Sequence, residues 1–176
     1  MKNLIIVGGT AGVGKTATCR ELQNILPINV FLDGDWCWDM HPFVVTEETK
    51  AMVNSNIAHL LNGFLACSEF ENIIFCWVLH QQHILDDLIN ALNLNGYMSL
   101  CFSLVSTEQA LVERLNGDIA AGKRDSDITE RSVARISLYD ELDTVKIDVS
   151  TISPADAARR ITEHLAGVHA PATITL

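Results

Sequence analysis

The sequence predicts an α/β protein, a parallel β-sheet with helices over both of its faces. Three observations predict it. Strand-like and helix-like segments alternate along the whole chain. The strand runs, such as Leu4-Ile-Ile-Val7, are apolar at every position, as expected where both faces of a sheet are buried. Finally, a glycine-rich loop, Gly9-Thr-Ala-Gly12-Val-Gly14-Lys15-Thr16, joins the first such run to the first helix.

Taken in order, strand 1 is Leu4–Val7 and helix 1 runs from about Lys15 to Leu26, where Pro27 closes it. Strand 2 is Asn29–Leu32. A long helix is expected from Thr46 to Cys67, with Thr46 as its N-cap and Glu47 and Glu48 in the first turn, where carboxylates suit the helix dipole. Strand 3 is Asn72–Leu79, helix 3 runs from about Gln82 to Leu94, and Gly96 marks the turn out. Strand 4 is Met98–Leu104, and Ser106 or Thr107 caps helix 4 up to Leu115. Thr129 is expected to cap helix 5 to about Leu142, strand 5 is Thr144–Val149, and Ser153-Pro154 starts the last helix with proline at its first position. The stretch from Gly167 to Leu176 is expected to be loosely attached.

A length of 176 residues makes one domain, 1–176, and 48% apolar residues are enough for a full core. The longest apolar run, Ile73–Leu79, is far too short for a bilayer, so no membrane association is expected. The segment Met1–Val7 runs straight into the glycine loop and reads as a buried strand rather than a secretory leader. Five scattered cysteines without a C-x-x-C pair read as reduced thiols in a cytoplasmic protein. The formal charge of −10 argues against a nucleic-acid partner. All of it lies between Ile28 and Glu113, where eleven acids face a single base, Lys50; the flanking stretches hold eleven acids and eleven bases.

The loop Gly9–Thr16 satisfies G-x-x-x-x-G-K-[ST] in full. Its glycines let backbone N–H groups curl around phosphates, and the N-terminus of helix 1 adds a positive dipole end. Lys15 can then reach the β- and γ-phosphates of ATP, and Thr16 can offer a hydroxyl to Mg²⁺. Strand 2 ends in Asp33-Gly34-Asp35, where open α/β sheets bind ligands. One carboxylate can anchor Mg²⁺ through water while the other takes the proton of an acceptor hydroxyl. A plain Asp-Gly turn with solvated acids is the competing reading.

On these residues, together with Arg114-Leu115, Gly122-Lys-Arg124-Asp125 and Leu142–Pro154, the chain resembles the P-loop small-molecule kinases. Shikimate kinase, gluconate kinase and chloramphenicol phosphotransferase are examples, with the nucleoside monophosphate kinases more distant. The resemblance implies a three-layer P-loop fold with five parallel strands ordered 2-3-1-4-5 and a small lid over about 116–128. It implies a nucleotide site built from Gly9, Thr10, Ala11, Gly12, Val13, Gly14, Lys15, Thr16 and Ala17. Within it Arg114 lies near adenine, Thr16 and Asp33 meet the metal, and Asp35 acts as base. Arg124 on the lid is the choice for stabilising the transition state. Asp118 departs from the pattern, since related lids often carry an arginine there. Strand 3 lacks an acid at its end, which weighs against an AAA-type or signalling ATPase, and no N-K-x-D supports a GTPase.

The segment between strands 2 and 3, about 33–71, covers the acceptor in such folds. Monophosphate acceptors need guanidinium groups there, and Ile28–Glu113 has no arginine. An uncharged or cationic hydroxyl compound fits better, with Trp36, Trp38, Met40, Phe43 and Trp77 as flat apolar surfaces or simply as core and rim residues. Cys37, His41, His80 and His83 fit no strong zinc pattern. Arg131 and Arg135, four apart, either serve the site or only pair with Asp127, Glu130 or Asp140. The expected activity is therefore phosphoryl transfer to a small non-phosphorylated hydroxyl compound, by a monomer or homodimer. A nucleoside or nucleotide kinase and an ATP-binding regulator without turnover are the alternatives.

Overall fold

In a computed structural model, which describes residues 2–169, the chain forms a five-stranded parallel sheet in the order β2-β3-β1-β4-β5. The strands are β1 (Lys2–Gly8), β2 (Asn29–Asp33), β3 (Asn72–Cys76), β4 (Tyr97–Val105) and β5 (Val145–Asp148). The helices are α1 (Lys15–Ile25), α2 (Glu47–Ala66), α3 (Gln82–Asn90), α4 (Glu108–Ala120), α5 (Ile128–Val133) and α6 (Pro154–His169). Apolar residues alternate across the sheet with the period of two that a strand imposes. Ile5, Val7, Ile74, Cys76, Phe102 and Leu104 join one core with Cys19 and Leu22 of α1, Leu111 and Leu115 of α4, and Ile161 and Leu165 of α6. Leu4, Ile6, Ile73 and Phe75 join the other core with Val53, Ile57, Leu61 and Leu65 of α2 and with Leu85 and Leu88 of α3. The i, i+4 spacing of the α2 set places all four on one stripe. Both halves of the predicted sandwich are therefore filled, and the strand order is the expected one.

The boundaries carry the corrections. Thr46 does cap α2, by accepting from Thr49 N–H, while the Thr49 hydroxyl accepts in return from Thr46 N–H at 2.8 Å. β3 stops at Cys76 rather than Leu79, and α3 stops at Asn90. α4 runs on to Ala120, so the first residues of the predicted lid are helical, and the turn falls at Gly122 with φ +68°. The expected long helix 5 is broken. Asp127, not Thr129, precedes α5, which ends at Val133, and a 3-10 turn follows at Ile136–Tyr139. A second 3-10 turn, Gly34–Trp38, follows directly on β2. Of the expected loose tail, Gly167–His169 belong to α6 and the remainder lies outside the described residues. No helix among the described residues is long and apolar enough to cross a membrane.

Candidate active site

The carboxyl ends of β1, β2 and β3 converge on the glycine loop. Gly9, Gly12 and Gly14 have φ of +149°, +82° and +107°, values that L side chains rarely adopt. Space enforces the same choice at two of them. A Cβ at Gly12 would lie 2.4 Å from Leu115 Cδ2, and one at Gly9 would lie 2.7 Å from Val13 Cγ1. The loop is also tied from outside. Thr10 Oγ1 donates to the Ser132 carbonyl of α5 at 3.0 Å. Arg114 of α4 donates to the Val13 carbonyl at 3.4 Å, to that of Ser150 at 3.3 Å, and to that of Val149. Arg114, expected near adenine, thus joins the glycine loop to the segment after β5.

Lys15 is buried at the start of α1, and its Nζ donates to the Thr10 carbonyl at 3.0 Å. Burial lowers its pKa, and the charges of Asp35 and Asp33 oppose that shift. Thr16 Oγ1 donates to Asp33 Oδ2 at 2.6 Å, and Asp33 Oδ1 accepts from Asp35 N–H at 3.1 Å. With its proton given to Asp33, the Thr16 hydroxyl keeps lone pairs for a cation. A hydroxyl and a carboxylate on adjacent elements suit Mg²⁺, which takes few protein oxygens and completes its shell with phosphate and water. Among the described residues no three of His, Cys, Asp and Glu gather to hold a metal, so Cys37, His41, His80 and His83 do not form a zinc cluster.

Asp35 opens to solvent, yet surrounding protein still raises its pKa above the ordinary carboxylate value. Lys15, Arg124 and a hydrogen bond from Trp77 pull it back, while Asp33 adds to the rise. Trp77 lies against Gly34, where a Cβ would stand 2.6 Å from Trp77 Cγ. The acid-free end of β3 is Cys76; a hydrogen bond with Cys19 and then burial push its thiol up, so it stays neutral beside Lys15. Arg124 Nε donates to Asp118 Oδ2 at 3.2 Å, and the Arg124 charge is felt at both Lys15 and Asp35. Catalytic candidates Lys15, Asp35 and Arg124 therefore share one electrostatic neighbourhood. Thr16 and Asp33, the metal candidates, are bonded to each other beside it, and Arg114 reaches the loop at Val13.

The aromatic candidates separate into two groups. Trp38, Met40 and Trp77 are partly buried against the α2 core. Trp36 and Phe43 are exposed, and Trp36 stacks edge-on with Phe31 at 5.3 Å, with Arg20 over both rings. Lys50, the one base of the middle segment, is paired with Glu47 at 2.8 Å. Of the two arginines after the lid, Arg131 pairs with Asp127 at 3.2 Å, whereas Arg135 has no ion pair among the described residues and lies beside His80 and Tyr139. Sequence reasoning had no signal for the Ser132 tether, the Trp77 hydrogen bond or the free Arg135. Each depends on residues brought together from distant elements.

Comparison with known proteins places the chain. A model of the family described as an AAA domain matches residues 5–136, three quarters of the chain. No curated protein matches it. Among solved structures, the tunicamycin resistance protein of Deinococcus radiodurans superposes with a TM-score of 0.67 at 18% identity, over 94% of this chain and 96% of that one. A gluconokinase from Sinorhizobium meliloti 1021 gives 0.66 at 18% identity, over 96% and 98%. Shikimate kinase from Acinetobacter baumannii, in complex with shikimate, gives 0.64 at 17%, over 97% and 96%. At such identities these establish the shared fold. The acid-free end of β3, which weighs against an AAA-type ATPase in the sequence, is no bar to the family match. By its matched segment, its loop and its strand order, the chain belongs to the AAA-domain family, on the fold of the P-loop small-molecule kinases.

Proposed function

We propose that the protein is an ATP-dependent phosphotransferase that moves the γ-phosphoryl group to a hydroxyl of a small, non-phosphorylated molecule. The observation that supports it most is the 2.6 Å bond from Thr16 to Asp33 beside buried Lys15, with Asp35 tied to the other Asp33 oxygen. That arrangement gives each carboxylate its own task. Thr16 and Asp33 would hold Mg²⁺, which would supply positive charge to offset that of the phosphates. The loop N–H groups and Lys15 cradle those phosphates, and Arg114 sets the adenine wall. Asp35 accepts the acceptor's hydroxyl proton as the new O–P bond forms and the bond to the ADP oxygen breaks. Burial raises the Asp35 pKa and so strengthens it as a base. Lys15 and Arg124 stabilise charge that shifts toward the leaving oxygen. In this reading 33–71 covers the acceptor, 116–128 is the lid, and the chain works as one domain, as monomer or homodimer.

The acceptor assignment rests on charge. Between Ile28 and Glu113 the only base is Lys50, which Glu47 already occupies. A phosphate dianion near Asp35 would meet repulsion of roughly 4 kcal/mol per unpaired unit charge at about 4 Å and an effective dielectric of 20. The test is a phosphotransfer screen with MgATP, comparing sugars, nucleosides and hydroxylated antibiotics with their monophosphates, read by ATP consumption and product mass. A higher kcat/KM for a monophosphate would move the chain to the nucleotide kinases. Tight ATP binding with no phosphorylated product from any acceptor would make it a regulator.

A further inference from the structure

Within the lid, about 116–128, both cations, Lys123 and Arg124, lie against one of its three carboxylates. Asp118, near the end of α4, accepts from Arg124 Nε on Oδ2 at 3.2 Å, and Lys123 Nζ lies 3.7 Å from Oδ1. The backbone holds the same geometry, since Lys123 N–H donates to the Asp118 carbonyl at 2.9 Å across the turn at Gly122. Binding through Nε occupies one edge of the guanidinium. Its two Nη groups have no partner among the described residues, and they form the other edge of a planar five-donor fork. The charge of this fork is felt at Lys15 and Asp35, on either side of the transferred group in the proposed mechanism.

We infer that Asp118 is a positioning residue, which fixes Arg124 by its Nε so that the free Nη pair meets the transferring phosphoryl group. A long exposed arginine otherwise loses rotamer entropy each time it engages, and a tether made in advance removes part of that cost. Asp118 alone beside ATP phosphates would repel them, but Lys123 and Arg124 leave this trio with a net positive charge, and of the lid's other two acids Asp127 is paired with Arg131. An arginine at position 118 would add a cation; the aspartate instead orients the arginine at 124.

The inference rests on Arg124 serving phosphoryl transfer, and the experiment separates the two. Steady-state kinetics are measured with MgATP and the best acceptor from the screen for Asp118→Ala, Asp118→Glu, Arg124→Ala and the Asp118→Ala/Arg124→Ala double variant. Asp118→Ala is expected to lower kcat roughly tenfold, as misplacement of a catalytic group does, with the acceptor KM and Tm little changed. Asp118→Glu is expected to restore part of the loss, and Asp118→Ala to add nothing in the Arg124→Ala background. If Arg124→Ala is without effect, the proposed role of Arg124 fails. If Arg124→Ala is slow but Asp118→Ala matches the parent, runs faster, or loses Tm in step with activity, the positioning role is overturned.

Discussion

The glycine loop and the segment that follows β2 lie side by side yet are built on opposite plans. Gly9–Thr16 is fixed from every direction: by positive φ at three glycines, by Leu115 against Gly12, by Ser132 on Thr10 and by Arg114 on Val13. Residues 39–46 are held more lightly, by Trp38 against Phe43 at 5.8 Å and by the Thr49 hydroxyl donating to the Val44 carbonyl at 3.0 Å. Between the 3-10 turn and α2 the chain is irregular, and Phe43, Val44 and Val45 face solvent. The difference matches the two tasks proposed for them. Phosphates are the same in every turnover and reward a rigid cradle, whereas an acceptor is recognised by side chains that a loop can vary without disturbing the sheet.

Asp35 sits on the border between these regions, and its loss is expected to have the largest effect. Asp35→Asn keeps shape but removes the base, so kcat is expected to fall about 10²–10⁴-fold. Lys15→Ala strikes the rigid side and is expected to cost about 10²–10³-fold, the usual loss for one preorganised donor at developing charge. Both are measured as single-turnover phosphoryl transfer by folded protein. Near-normal turnover in either variant removes that residue from the mechanism, and an Asp35→Asn loss fully rescued by extra Mg²⁺ would make Asp35 a metal contact instead.

A paired substitution sharpens the contrast itself. Gly12→Ala places a Cβ against Leu115 at a left-handed φ, and is expected to lower stability by more than about 1 kcal/mol. Phe43→Ser, on the open side, is expected to stay within about 0.5 kcal/mol in stability while raising the acceptor KM. Urea unfolding and acceptor kinetics check the pair. Equal destabilisation would show that the two regions are equally integral to the fold.

How much of this was legible in the sequence follows the same division. The loop and its lysine could be read because their chemistry is local: glycines at fixed spacing, a buried strand before and a helix after; the strand order followed only from the family resemblance those residues carry. The cap of α2 was legible for the same reason, since Thr46 and its partner Thr49 are three residues apart. The end of α5 at Val133 was not, and neither was the bond that Thr10 makes there to the Ser132 carbonyl from more than a hundred residues away, which no periodicity records. Asp118 stood out as a departure from its family pattern, but its two cationic partners emerged only once α4 extended to Ala120 and the chain turned at Gly122. Trp77 read as an apolar surface; its hydrogen bond to Asp35 needed β2 and β3 to be neighbours in the sheet.

That last bond supports the smallest predicted effect, which is one of direction. With Asp35 as the proposed base, transfer needs it ionised, so kcat/KM is expected to fall as pH drops through its raised pKa, higher than for an ordinary carboxylate. Burial drives the rise, while Lys15, Arg124 and the Trp77 hydrogen bond hold it down by favouring the charged form. Trp77→Phe keeps a ring near Gly34 and removes the donor, so the acidic limb is expected to move to higher pH. Stability carries the opposite sign from the usual paired carboxylate. A pKa raised on folding favours the protonated form in the native state, so this contribution is present below the unfolded pKa and is lost as pH rises through the folded one. Asp35→Asn, neutral at every pH, is therefore expected to gain Tm over the parent at neutral pH while it loses activity. An acidic limb that stays in place in Trp77→Phe would remove the indole from the site; a limb that survives in the residual activity of Asp35→Asn would assign the proton to another group.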